Sequence, residues 1–217
     1  MASHNSAETR ERLLEAATEI FAENGYRHTT FRDICQQAGT NNAAINYHFR
    51  DKEQLYIAVI QYTLKESTLI LPNAENPLHL PPREHLREFL RVTLFRMLGV
   101  GSPTRLLKLM AKEMAEPTPA LDVMVETVVR PIHDLLHRIV AEILGEEDVN
   151  SELVASCCCC IMGQCHILHT SRAVVFRLSP HLKTYDDETI EKLAAQIYEF
   201  SIAALDHFAA KKKLAVD

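Results

Sequence analysis

The stretch Thr29–Lys52 (TTFRDICQQAGTNNAAINYHFRDK) constrains the fold of this chain more than any other segment. Thr30 followed three residues later by Asp33 has the spacing of a capping box, in which each side chain satisfies an orphan backbone donor at a helix start. Phe31, Ile34 and Cys35 form an apolar stripe at helical spacing that runs out at Gln36-Gln37-Ala38. Gly39 follows where a helix terminus favours a left-handed residue, a conformation glycine adopts without strain. Asn41 is placed to cap a next helix, Ala43–Phe49. Ala44, Ile45 and Phe49 of that helix turn inward, leaving Asn42, Asn46, Tyr47 and His48 on or near the outer face. Two short helices across a tight turn make a helix-turn-helix with a short recognition helix.

The rest of the chain suits such a unit. Its 217 residues allow one or two compact domains with a substantial core. A hydrophobic content of 47% with 6 Gly and 9 Pro fits a mostly helical protein, and every proline lies at or after Pro72. A net charge of −6 is not that of a protein that coats nucleic acid non-specifically. Locally the balance reverses: between Arg27 and Lys52, Arg27, Arg32, Arg50 and Lys52 outnumber Asp33 and Asp51. No N-terminal apolar run fits a signal peptide, and no segment is expected to reach membrane-spanning length. Six cysteines without a secretory signal fit a reducing cytoplasm.

Residues 1–8 read as a small, polar, disordered arm. Thr9–Asn24 is an amphipathic helix with Leu13, Leu14, Ala17, Ile20 and Phe21 on one face, stopped by Gly25, and it closes a three-helix domain over residues 9–52. A connecting helix follows over residues 53–72, then a loop, Asn73–Pro82, in which Pro81-Pro82 argues against helix. A second domain, 83–217, is expected to hold helices at Glu84–Leu98, Thr104–Ala115, Leu121–Leu144, Ser151–Val175 and Glu188–Ala210. Pro131 should kink or break the third of these. No strand pattern is present, so the fold class is all-α. In Glu188–Ala210, Ile190, Leu193, Ile197, Leu205 and Phe208 take one side, and Tyr198, Phe200 and Ile202 widen the apolar surface. A helix apolar on two sides needs two partners, which makes the last two helices (about 151–175 and 188–210) the candidate dimer interface.

The combination of TTFRDI, Gln37-Ala38-Gly39, a short helix ending Tyr47-His48-Phe49 and the start Asp51-Lys52-Glu53 resembles the DNA-binding domain of tetracycline-repressor (TetR) family regulators. Ala43 stands where that family often has glycine and Asn46 where it often has an aromatic residue, departures that bear on the operator sequence. The NNAAINYHF helix and the Met162-Gly-Gln-Cys165 segment resemble one branch of the family. The resemblance implies a bacterial, cytoplasmic regulator with an N-terminal helix-turn-helix domain and a C-terminal helical domain for ligand binding and dimerisation. It implies a homodimer formed through the two C-terminal helices, a palindromic double-stranded operator, a small-molecule effector and, most often, repression. It implies no cofactor and no membrane partner.

By the same resemblance Thr30, Tyr47 and Lys52 fall at positions that hold phosphates, with edge packing as the other reading of Tyr47. Thr40, Asn41, Asn42, Ala43, Asn46 and His48 are candidates for the major-groove face. Asparagine suits adenine and the Ala43 methyl suits thymine, while Asn41 reads equally well as a cap alone. For the effector, Phe89, Met110, Met114 and Met162 are candidate apolar lining, and Arg96, His133, His137, Gln164 and Arg172 candidate polar contacts; for each apolar one, taken singly, ordinary core is the stronger reading. Cys157–Cys160 with Cys165, His166 and His169 raises an alternative, a metal- or thiol-redox-sensing regulator. Cys158, Met162, Cys165 and His169 align on one helical face, and His133 and His137 could oppose them. Packing of cysteine as a small hydrophobe is the competing reading, and no metal is expected. No phosphate loop, nucleophile elbow or HExxH pair supports an enzyme, and Glu113 and Glu116 read as solvated carboxylates.

Overall fold

The structure, a computed structural model, describes residues 2–66, 80–99, 104–182 and 184–216, and every regular element among them is helical. These residues form two compact units.

The first unit begins with α1 (Ala2–His28), in which Gly25 (φ 77, ψ 173) interrupts the helix where the sequence reading stops it. Residues 2–8 are helical rather than a disordered arm. With the helix already nucleated and neither glycine nor proline before Gly25, each further residue adds a hydrogen bond for little cost. Next come α2 (Phe31–Ala38), α3 (Asn42–Phe49) and α4 (Lys52–Glu66). Leu13, Ala17, Phe21, Ile34, Ile45 and Leu55 are all fully buried in their common core. Each of the larger side chains, Ala17 excepted, contributes about 1.5–3 kcal/mol relative to an exposed one.

The sequence reading assigns everything after Arg83 to one second domain; the structure divides it. Helix α6 (Thr104–Ala115), α7 (Ala120–Met124) and a π-helical turn (Val125–Val129) belong to the first unit, where Leu109, Ala120 and Met124 join its core. The helical period identified the apolar face of α6 without naming its partner. The two glutamates of this segment also part company. Glu116 is exposed and paired with Arg27, whereas Glu113 is buried and accepts from the Thr118 backbone N–H (2.9 Å) and hydroxyl (3.0 Å). The Thr118 hydroxyl in turn accepts from the Ala120 N–H at 3.2 Å, so a buried carboxylate organises the start of α7.

The second unit contains α5 (Pro82–Leu98), α8 (Arg130–Leu144), α9 (Glu152–Thr170), α10 (Arg172–Leu178) and α11 (Asp187–Val216). Its core joins Leu90 and Leu94 of α5, Val140 of α8, Ile161 and Cys165 of α9, and Ile190 of α11. Pro82 is the first helical residue of α5 rather than part of the loop, because the first turn needs no N–H from it. Residues 73–79 of the expected loop, and the expected helix beyond Glu66, lie outside the described residues. The break expected at Pro131 takes the form of the preceding π turn, whose wider hydrogen bonding accommodates a residue that lacks an N–H and crowds the carbonyl four residues back. Ser151–Val175 is not one helix: Ser171 (φ −107, ψ 20) separates α9 from α10.

By length and composition α9, 19 residues long, is apolar enough to cross a membrane, with a mean hydropathy of 1.4 over an 18-residue stretch of it, contrary to the expectation that no segment is. The four consecutive cysteines raise that mean. Val154, Cys157, Cys158, Ile161, Cys165 and Leu168 of this helix face the second unit's core.

Candidate nucleic-acid interface

The turn between α2 and α3 is built from side chain–backbone hydrogen bonds. Thr30 (φ −115, ψ 156) caps α2 in a complete capping box. Its backbone N–H donates to Asp33 Oδ2 at 3.0 Å, its hydroxyl donates to the same oxygen at 2.6 Å, and the Asp33 N–H donates to Thr30 Oγ1 at 3.3 Å. These bonds from Thr30 hold the Asp33 carboxyl below its ordinary pKa. Gly39 ends α2 in the left-handed region (φ 62, ψ 41) and donates to the Cys35 carbonyl. Asn41 (φ −125, ψ 166) caps α3, its side-chain oxygen accepting from the Ala44 N–H at 3.1 Å. That bond realises the capping reading of Asn41, and it starts the helix at Asn42, one residue earlier than Ala43.

Helix α3 buries Ile45 and Phe49 and leaves Asn42, Ala43 and Asn46 exposed. Tyr47 is 79% exposed, and its ring meets His48 edge-on at 4.9 Å between centroids. Thr30 and Asn41 are exposed, and Thr40, His48 and Lys52 are half-buried. All nine candidates therefore retain solvent access. Lys52 is turned inward more than a free surface lysine, with Nζ 4.6 Å from the Tyr26 ring centroid and 3.5 Å from the Arg27 carbonyl oxygen. Burial lowers its pKa.

Two basic residues beyond the nine candidates join this surface. Arg10 of α1 brings its guanidinium carbon to 5.2 Å from the Phe49 ring centroid, at the end of α3. Arg50 closes α3 at φ 64, the positive-φ non-glycine residue of the described chain, and its N–H bonds to the Asn46 carbonyl. Backbone strain of this kind gathers at functional sites. Arg10 lies outside the basic cluster counted between Arg27 and Lys52, and only the packing of α1 on α3 reveals it.

The effector candidates fall in both units. Met110 is half-buried against the first unit's core and Met114 is exposed in the same unit. In the second unit Phe89 is buried, Met162 packs at the core edge, and burial lowers the pKa of the half-buried Arg96. His133 and His137 stack on each other with centroids 3.8 Å apart. Nδ1 of His137 lies 2.9 Å from the Val149 carbonyl, and His133 is paired with Asp134. Arg172 lies over the Phe176 and Tyr185 rings, 5.1 Å from each centroid. Gln164 donates to Ser201 Oγ at 3.4 Å and lines a cavity of about 210 Å³ between α9 and α11, shared with Cys157, Cys160, Phe200, Ala204 and Phe208.

The cysteine-rich stripe does not assemble as a metal centre: among the described residues no three His, Cys, Asp or Glu side chains converge to hold an ion. Cys158 and Cys165 are buried, which pushes each thiol up to about 12 and keeps it protonated at neutral pH. His169 is engaged elsewhere, with Nδ1 3.1 Å from the Met97 carbonyl. Cys157, Cys158 and Cys165 pack as small hydrophobes, whereas Cys159 and Cys160 are exposed.

Residues 13–59 match the sequence profile described as bacterial regulatory proteins, tetR family. Residues 82–205 match that of the HTH-type transcriptional dual regulator CecR, C-terminal domain. The chain is 34% identical over 147 residues to the HTH-type transcriptional dual regulator CecR of Shigella flexneri, covering 64% of this chain and 66% of that protein. It is 35% identical over 115 residues to a probable acrEF/envCD operon repressor of Escherichia coli (strain K12), covering 51% of each. The chain thus spans less than two thirds, in the second case about half, of the length of these relatives. Among solved structures it is similar to HlyIIR, a hemolysin II transcriptional regulator, with a TM-score of 0.56 at 22% identity over 89% of this chain and 97% of that one. It is also similar to FadR from Bacillus subtilis in complex with stearoyl-CoA, with a TM-score of 0.60 at 18% identity over 88% and 97%. At these identities the likeness is one of fold.

Proposed function

Since the chain belongs to the TetR family of transcriptional regulators, with a C-terminal domain of the CecR kind, we propose that it acts as a ligand-responsive homodimer on a palindromic operator, most readily as a repressor. The observation that carries the proposal is α3 itself, capped at both ends and anchored by Ile45 and Phe49, with Asn42, Ala43, Asn46 and Tyr47 turned to solvent. A short helix so held has the dimensions to enter a major groove, with Thr40, Asn42, Ala43, Asn46 and His48 toward base edges and Thr30, Tyr47 and Lys52 toward the backbone. Arg10 and Arg50 add positive charge to the same face. The NNAAINYHF helix and the Met162–Cys165 segment are read as marks of one branch of the family.

Dimerisation is proposed through α9 and α11. Phe200 is 70% exposed, and Ile167 and Phe208 also present apolar surface to solvent, beside the cavity between these helices. A second copy covering this surface would set the spacing of two recognition helices and of the half-sites. The effector is proposed to be an apolar small molecule bound by the C-terminal domain, for which Phe89, Arg96, His137 and Met162 are the candidate contacts. FadR bound to stearoyl-CoA is a precedent on this fold. Such a ligand acts by favouring the arrangement of the dimer that binds DNA less well. The activity is regulatory rather than catalytic, and a DNA partner puts the protein in the bacterial cytoplasm.

Selection of bound sequences from a random duplex pool tests the proposal. Enrichment of a palindrome by the wild-type protein, lost in Asn46→Ala or Tyr47→Ala, is the expected result. Affinity should fall steeply with salt as phosphate contacts release counterions. Binding without sequence enrichment, or enrichment indifferent to both substitutions, would remove α3 from the recognition role.

A further inference from the structure

Asn41 and Asn42 are adjacent in the chain and differently held. Asn41 uses its side-chain oxygen to cap α3. The Asn42 oxygen is held from the other helix of the motif: Cys35 Sγ on α2 donates to Asn42 Oδ1 at 3.3 Å. Cys35 sits on the inner face of α2 beside Ile34 and Ala38, whereas Asn42 is exposed at the first position of α3. Burial raises the thiol above its ordinary pKa, so the sulfur carries its proton at neutral pH and serves as a donor. A donor on the inner side selects the amide orientation. The oxygen turns toward the thiol, and the NH₂ group turns away from it.

Building on the recognition-helix role proposed above, we propose that Cys35 is a positioning residue for operator recognition, holding Asn42 so that it offers its NH₂ group to a base edge. An asparagine that reads adenine in the bidentate manner needs both ends of its amide, accepting from N6 and donating to N7. With its oxygen engaged by the thiol, Asn42 is left as a reader of acceptors. Guanine O6 and N7, thymine O4 and adenine N7 answer that donor. Cytosine, which offers an amino group in the major groove, is selected against. Asn42 therefore carries a preference set by a residue that never touches DNA.

Sequence selection with the full-length protein tests this through Cys35→Ala, Cys35→Ser, Asn42→Ala and Asn42→Asp. Asn42→Ala is expected to erase the preference at one position of each half-site. Cys35→Ala should weaken the preference at that same position by roughly three- to tenfold, the worth of one hydrogen bond, and leave the others intact. Cys35→Ser keeps a donor and should keep the preference. Asn42→Asp exchanges the donor for an acceptor and should move the preference toward bases with an amino group. Identical base preferences in the wild-type protein and Cys35→Ala would overturn the inference. A uniform loss at every position with a lowered Tm, the mark of packing alone, would overturn it too. If the Cys35 variants unfold, a wild-type preference for cytosine at the position erased by Asn42→Ala is the overturning result. Enrichment of no palindrome by the wild-type protein defeats the regulator proposal itself, and this inference with it.

Discussion

Thr30 and Asp33 illustrate how much a single pair can determine. The Asp33 carboxyl titrates below its ordinary value because Thr30 donates to it twice. A carboxyl whose folded pKa is depressed contributes stability above its unfolded value, near 3.9, and loses that contribution as pH falls through the folded value. Thr30→Ala removes the cap and those bonds and is expected to lower Tm by about 2–4 °C at pH 7. The difference from wild type should shrink as the pH falls from about 4 through the lower folded value of Asp33, where the carboxyl protonates in wild type as well. Thermal melts across that pH range check the sign. Both members of this pair were legible in the sequence because the capping box is local chemistry at fixed spacing. Arg10 and the Cys35–Asn42 bond were not, since each joins residues whose proximity depends on how α1, α2 and α3 pack.

Among the elements, α6 carries the least expected arrangement. The Glu113 carboxylate is buried in the first unit and accepts from Thr118, while the Tyr56 hydroxyl of α4 is buried with no hydrogen-bond partner among the described residues. Burial, and then the negative charge of Glu113, push the Tyr56 phenol above its ordinary pKa. An unsatisfied buried hydroxyl costs stability, so Tyr56→Phe is expected to leave Tm unchanged or raise it. Glu113→Ala, which frees the Thr118 groups and leaves a cavity, should destabilise the protein by about 1–3 kcal/mol in urea denaturation. A clear Tm loss in Tyr56→Phe would mean that the hydroxyl donates to Glu113 after all. On the exposed-helix pattern the sequence suggests a solvated Glu113. A lone glutamate in an amphipathic helix gives no sign that a following loop will fold back over it.

For the whole molecule, the proposed dimer is the property with the most direct test. Phe200→Glu places a charge in the exposed apolar surface of α11 without entering the core of the second unit. It is expected to convert a dimer to a monomer in sedimentation and to lower operator affinity by at least an order of magnitude, while circular dichroism keeps its helical signature. A Phe200→Glu protein that sediments as a dimer would assign the interface to another surface.

Local chemistry sufficed for α2 and α3. Apolar periodicity, the capping residues Thr30 and Asn41 and the left-handed Gly39 placed α2 and α3 within one residue, and the solvent-facing candidates followed from the phase of α3. These are interactions over one or two turns, so a reading of neighbours recovers them. What packs against what depended on tertiary contacts. The grouping of α6 and α7 with the first unit, the burial of Glu113, the protonated thiols of Cys158 and Cys165 and the approach of Cys35 to Asn42 all depend on residues brought together by the fold. An apolar helix face states that it will be buried; only the shape of the assembled core selects the partner that buries it.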